Sequence, residues 1–167
     1  RTMSTFLGAS SLITPDDIDP GLVARAKVVY CEGYLWDQPD AKAAIAHAMD
    51  LARDAGRKVA FTLSDAFCVD RHREEFRDLA EGRVDVLFAN EVELCSLYET
   101  DDFDEALEAV AGKVEIACLT RSEKGSVIVT SGGERIEVQA APVSAVVDTT
   151  GAGDLYAAGF LHGLATG

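Results

Sequence analysis

Short runs of β-branched and aliphatic residues alternate along the chain with stretches of helical periodicity. Residues 27–31, 58–63, 84–89 and 114–119 are apolar almost throughout. A strand with one solvated face alternates apolar and polar positions, whereas a run apolar on both faces belongs to a parallel sheet covered by helices. Between these runs, 41–55 reads as an Ala-rich helix ended by Gly56. The 73–80 segment reads as a charged helix, and 91–98 and 103–111 as two more. Strand–helix alternation of this kind predicts an α/β fold with right-handed crossovers and a mainly parallel sheet.

Two segments depart from the alternation. Residues 125–130 and 134–138 are strand-like and flank Ser131-Gly132-Gly133, which predicts a β-hairpin with a glycine turn. Thr14-Pro15-Asp16-Asp17 has the order of a helix opening: a capping hydroxyl, a proline in the first turn, then carboxylates at the positive helix end. No repeat and no Pro/Gly/Ser linker divides the chain, so 1–167 is expected to form a single α/β core.

The chain has 15 Lys and Arg against 29 Asp and Glu, a formal net charge of −14. Such a surface repels a phosphate backbone, which excludes nucleic acid as the expected partner. Any anionic ligand must be held by helix amides, a metal or individual basic side chains. Cys31, Cys68, Cys95 and Cys118 form no C-x-x-C pair, and Cys31, Cys95 and Cys118 lie in apolar runs as small core residues. That usage points to a reducing cytoplasm rather than a disulfide framework. With no signal peptide and no bilayer-length apolar run, no membrane partner is expected. Both ends read as cut, so the chain is expected to be part of a longer protein.

The segment richest in chemistry is 146–161. A β run at Val146-Val147 enters Asp148-Thr149-Thr150-Gly151-Ala152-Gly153-Asp154, and an apolar helix leaves it. Glycines at 151 and 153 let the backbone approach a ligand closely. Free N–H groups at the helix start, aided by the helix dipole, form an anion site. A carboxylate beside an anion site makes sense if Asp154 removes a proton from an acceptor hydroxyl while the amides hold charge on a moving phosphoryl group. The bland alternative is an acid that merely complements the helix N-terminus. A dinucleotide fingerprint fits poorly, because Tyr156 stands where its third glycine belongs, and no P-loop sequence exists.

Asn90-Glu91-Val92-Glu93 lies where a strand meets a helix, at the carboxyl end at which parallel sheets bind ligands. The oxygens of Asn90 and Glu93 suit Mg²⁺ held partly through water, and the same spacing is also a capping box. Thr120-Arg121-Ser122-Glu123-Lys124-Gly125 follows a strand and precedes the hairpin, and Arg121 and Lys124 are either phosphate contacts or solvated charges. The three histidines are scattered, which argues against zinc. Ser64 to Arg73 reads as a charged loop after a strand, with Asp65, Asp70, Arg71 and Arg73 either lining the site or, as favoured, forming a surface salt-bridge cluster. Tyr34 and Trp36 are either core or pocket wall.

Asp148 to Asp154, with Gly159-Phe160-Leu161 behind it, resembles the C-terminal signature of the PfkB/ribokinase family of carbohydrate and nucleoside kinases. The resemblance implies a ribokinase-like three-layer α/β/α fold whose N-terminal lid part and C-terminal end lie outside these 167 residues. It implies ATP and Mg²⁺ as cofactors and Asp154 as base, with the amides of Gly151, Ala152 and Gly153 as anion hole. Asn90 and Glu93 match a motif that positions magnesium and phosphate. Thr120, Ser122 and Gly125 match the T-x-G-x-x-G segment that contacts ATP, with Ser122 in place of its first glycine. Asp148 and Thr150 match part of a monovalent-cation site, K⁺ in kind. The runs 32–36 and 63–70 are similar to the bacterial adenosine kinase branch, which implies phosphorylation of adenosine to AMP. A ribose- or fructose-type sugar acceptor is the alternative, because only the acceptor pocket would differ. A nucleotide-dependent oxidoreductase and a non-catalytic nucleotide-binding module stand as competing classes, and a homodimer as an open alternative to a monomer.

Overall fold

The computed structural model describes residues 6–167. Thr14 caps a single 3₁₀ turn, Pro15–Asp17, in a reciprocal box: the Asp17 carboxylate accepts from the Thr14 amide at 2.9 Å. Asp19 then caps α1 (Pro20–Arg25) by accepting from the amides of Gly21 and Leu22. The remaining elements are β1 (Val28–Glu32), α2 (Pro39–Asp54), β2 (Lys58–Thr62), α3 (Ala66–Gly82), β3 (Val86–Asn90), α4 (Glu91–Tyr98) and α5 (Phe103–Val110). They continue with β4 (Ile116–Thr120), β5 (Ser126–Thr130), β6 (Arg135–Val138) and α6 (Ala152–Thr166).

The six strands lie side by side in sequence order. β1 to β4 are parallel, and the β5–β6 hairpin continues the sheet antiparallel. Because each right-handed crossover steps the same way, the helices between β1 and β4 collect on one face. There Val59, Phe61, Leu87, Ala117 and Leu119 pack with Met49, Phe76, Leu94, Leu97 and Leu107 in one core. On the other face Ala60, Val86, Phe88 and Cys118 lie under α6, which meets them through Ala157, Tyr156 and Phe160. Both faces are therefore covered, and the fold is the expected ribokinase-like α/β/α. Among the described residues no helix is long and apolar enough to cross a membrane.

Three expectations are corrected. Residues 66–73 are not a loop: α3 begins at Ala66 and absorbs them, and the helix expected over 73–80 is only its second part. Asp65 caps it by accepting from the Cys68 amide at 2.8 Å, and the helix kinks at His72 (φ −125°, ψ 24°). No strand forms at Val146-Val147. Residues 139–150 are exposed and irregular, because these β-branched side chains find no neighbouring strand, and Val147 is 89% exposed. Cys31, Cys68 and Cys118 are buried, while Cys95 is half-buried against the core, and all four are free thiols. Trp36 is core, edge-on to Phe61 and Phe76, whereas half-exposed Tyr34 donates its hydroxyl to the Ser64 carbonyl at 3.0 Å.

Candidate active site

The carboxyl ends of the parallel strands and the start of α6 converge. Gly151 caps α6 in the left-handed region (φ 76°, ψ 7°), which a glycine adopts without strain. The turn before it spends the Ala152 amide on the Thr149 carbonyl at 3.1 Å, and Leu155 N–H closes on the Gly151 carbonyl at 2.9 Å. Among the described residues the amides of Gly151, Gly153 and Asp154 donate to no protein acceptor. Of the expected set, Ala152 gives its amide to the turn in this structure, and the amide of Asp154 is open beside those of Gly151 and Gly153. Asp154 itself is exposed in the first turn, with Oδ2 only 3.8 Å from where a Cβ on residue 151 would stand. Carboxylate and open amides therefore share one mouth.

The charge of Asp154 reaches the end of β1. Burial and then that charge push the Glu32 carboxyl above the usual carboxylate range. The Tyr30 phenol is pushed up to about 12, chiefly by burial, with the charges of Glu32 and Asp154 adding to it. Glu32 is a second carboxylate facing the site that the sequence reading did not single out. Its signal was available: Val28, Tyr30 and Glu32 alternate along β1, so the residue at the carboxyl end falls on the face that α6 covers.

Asn90 and Glu93 bind each other. The Asn90 side-chain oxygen accepts from the Glu93 amide at 2.9 Å, and the Glu93 carboxylate accepts from the Asn90 amide at 2.9 Å and from its Nδ2 at 2.6 Å. Glu93 is buried, and burial pushes its carboxyl up to about 7. Asn90 pairs in register with Thr120, so this motif and the 120–125 loop are adjacent. In that loop Gly125 N–H donates to the Ser122 carbonyl at 3.1 Å and the Gly125 carbonyl accepts from Arg121 N–H at 2.8 Å. Ser122 takes φ 52°, the left-handed backbone that a glycine would supply at that place. Arg121 pairs with Glu91 at 2.9 Å and lies 3.9 Å over the Phe103 ring, while its buried Nε has no hydrogen-bond partner among the described residues. Lys124 approaches the same carboxylate at 3.4 Å. Asp148 Oδ1 accepts from both the amide (3.0 Å) and the hydroxyl (2.8 Å) of Thr150 in an exposed turn.

Arg71 and Arg73 stay outside this convergence, whereas the charge of Asp65 reaches Glu93. Arg71 pairs with Asp37 at 2.8 Å and Arg73 with Asp70 at 2.8 Å, on the helical face. A groove of about 570 Å³ between α2 and α3, lined by Trp36, Lys42, Ala46 and Leu79, likewise contains none of the residues above. The open amides at α6 fit a phosphate group. Both Glu93 oxygens are taken by Asn90, and no group of three or more His, Cys, Asp or Glu among the described residues could hold a metal. Magnesium would therefore meet Asn90 and Glu93 through water, with its inner ligands supplied by phosphates.

The profile of the pfkB family carbohydrate kinases matches residues 1–167. The chain is 31% identical over 181 residues to adenosine kinase of Saccharomyces cerevisiae, covering 100% of this chain and 52% of that protein. It thus spans about half the length of that curated relative. Among solved structures, adenosine kinase from Sinorhizobium meliloti superposes with a TM-score of 0.90 at 52% identity, over 94% of this chain and 48% of that one. A probable sugar kinase from Rhizobium etli CFN 42 superposes with a TM-score of 0.89 at 52% identity, over 92% of this chain and 47% of that one.

Proposed function

The chain belongs to the pfkB family of carbohydrate kinases, and on that premise we propose that the protein moves the γ-phosphoryl of ATP to a hydroxyl of a small nucleoside or sugar. The observation that carries the proposal is the exposed Asp154 carboxylate beside amides that have no protein acceptor. In this reading Asp154 takes the proton of the acceptor hydroxyl as its oxygen bonds to the γ-phosphorus. The bond from that phosphorus to ADP breaks, and the amides of Gly151, Gly153 and Asp154 hold the negative charge on the transferring group. Magnesium bound to the phosphates would neutralise part of that charge. Thr120, Ser122 and Gly125 would line the nucleotide, and Asp148 with Thr150 would contribute to a monovalent-cation site.

Adenosine is the proposed acceptor, supported by the adenosine kinases to which the chain is similar. A sugar is the second reading, supported by the equally similar probable sugar kinase. In either case Glu32, whose carboxyl feels the charge of Asp154, would accept a hydrogen bond from an acceptor hydroxyl. The test is ADP release by the full-length protein with adenosine, inosine, ribose and fructose, for wild type and Asp154→Asn. General-base loss should cost about 10²- to 10⁴-fold in kcat with ATP binding retained. An Asp154→Asn protein with undiminished function would instead favour a non-catalytic nucleotide-binding module.

A further inference from the structure

The chain reaches α6 through the exposed segment 139–150, which offers the helix no packed support. What seats the base-bearing end of α6 is aromatic. Tyr156 lies edge-on to Phe88 (centroids 6.4 Å, 82° between planes), and Phe160 approaches the same ring at 5.7 Å. Ring contacts of this kind fix a distance from the sheet but leave a helix free to slide or turn. Among the described residues, one side-chain hydrogen bond ties the first two turns of α6 to the sheet: Tyr156 Oη donates to Ser126 Oγ at 3.0 Å.

The partner's position makes this bond more than local. Ser126 is buried, opens β5 directly after Gly125, and pairs in register with Thr120. It therefore sits at the junction of the two strands that hold the 120–125 loop. The donor lies two residues beyond Asp154 on α6. One hydrogen bond thus spans the two halves of the candidate site.

We propose that Tyr156 and Ser126 form a strut that sets the Asp154 carboxylate and its neighbouring amides against the Thr120–Gly125 loop, making Tyr156 a positioning residue for phosphoryl transfer. The assignment rests on the kinase reading above. In-line transfer needs acceptor oxygen, phosphorus and leaving oxygen aligned, and a misplacement of about 1 Å costs on the order of 10²-fold. Tyr156→Phe keeps the ring on Phe88 and removes only the hydroxyl, which leaves Ser126 buried without its donor.

The experiment compares wild type, Tyr156→Phe, Ser126→Ala and the double variant of the full-length protein. It reads kcat and KM for ATP and acceptor, together with amide hydrogen exchange over 120–126 and 151–157. Each single variant should lower kcat about tenfold with both KM values within about twofold. The double variant should lose no more than either single, because both remove one coupling. Exchange should quicken in both segments in each single variant. Single variants that keep kcat while only the melting temperature falls would reduce the bond to a structural one and overturn the assignment, as would losses that multiply in the double. A wild type inactive toward every acceptor overturns the kinase reading itself, whereas an active wild type with a fully active Tyr156→Phe overturns only the strut.

Discussion

Glu93 grips Asn90 with both carboxylate oxygens, accepting its backbone amide at 2.9 Å and its Nδ2 at 2.6 Å while buried at the start of α4. The hydrogen bonds favour the charged form, but burial outweighs them and lifts the carboxyl from 4.5 to about 7. Between those values the folded state binds more protons than the unfolded chain, so this group's contribution to stability falls as pH rises through the window. The full span amounts to roughly 3 kcal/mol. Glu93→Gln keeps the size and neutral state of the protonated acid, so its stability should lack this slope. Urea unfolding of both proteins at pH 5 and pH 8 checks it: the wild type should lose about 2.5 kcal/mol relative to the variant. Parallel pH profiles would sink the idea.

The fold was legible because its periodicities are local. β1 to β4 announce themselves as runs apolar on both faces, and Ser131-Gly132-Gly133 marks the reversal between β5 and β6. The misreading at 66–73 came from charge density. Arg71 and Arg73 read as members of a local charge cluster, yet only Arg73 finds a local carboxylate, Asp70, while Arg71 pairs with Asp37 from before β2 and Arg73 also reaches Glu99 beyond α4. The glycine turn ahead of Asp154 was readable, since its requirements lie within seven consecutive residues. The Tyr156–Ser126 bond was not, because it joins a helix to a strand 30 residues away. Ala152 shows a finer limit: which of three neighbouring amides stays open is decided by a turn geometry that composition does not encode.

Ser122 holds a backbone that suits glycine. At φ 52° its Cβ crowds the carbonyl, at a cost of about 1–2 kcal/mol. Glycine removes the crowding and gives back part of the gain through a floppier unfolded chain. Ser122→Gly should therefore stabilise the protein by up to about 1 kcal/mol, with Ser122→Ala near neutral because its strain persists. A lower denaturation midpoint for Ser122→Gly would show that the serine hydroxyl, not the backbone, matters there.

Phe76 is the hub of the aromatic cluster beneath α3. It has no exposed surface, and its ring lies 5.2 Å from Phe61, 5.8 Å from Trp36 and 5.9 Å from His72. Phe76→Ala should cost about 3–5 kcal/mol as transfer and cavity terms add, and Phe76→Leu considerably less. The chain has a single tryptophan, and it sits against this ring. Its emission therefore reports both equilibrium unfolding and any wetting of the cavity. An unchanged midpoint in Phe76→Ala would mean that α3 closes over the gap.

Gly125 closes the 120–125 loop under the tightest constraint of any glycine in the chain. A Cβ there would stand 2.0 Å from the Val138 carbonyl oxygen and 2.8 Å from the Ala140 nitrogen, both backbone atoms, and the residue sits at φ 90°. Neither neighbour is a side chain that can swing aside. Gly125→Ala must push β6 off β5 or rebuild the turn that joins the Arg121 amide to the Gly125 carbonyl at 2.8 Å. Strain at such a site costs about 1–3 kcal/mol, and unpairing the end of the hairpin adds to it. The variant should therefore lose at least about 3 kcal/mol of stability. Amide exchange should quicken at 126–130 and 135–138 before the parallel strands respond, because β5 and β6 lie at the open edge of the sheet. Protection unchanged in the hairpin would show that the turn absorbs a methyl group, and the close approach of Val138 would then carry no energetic weight.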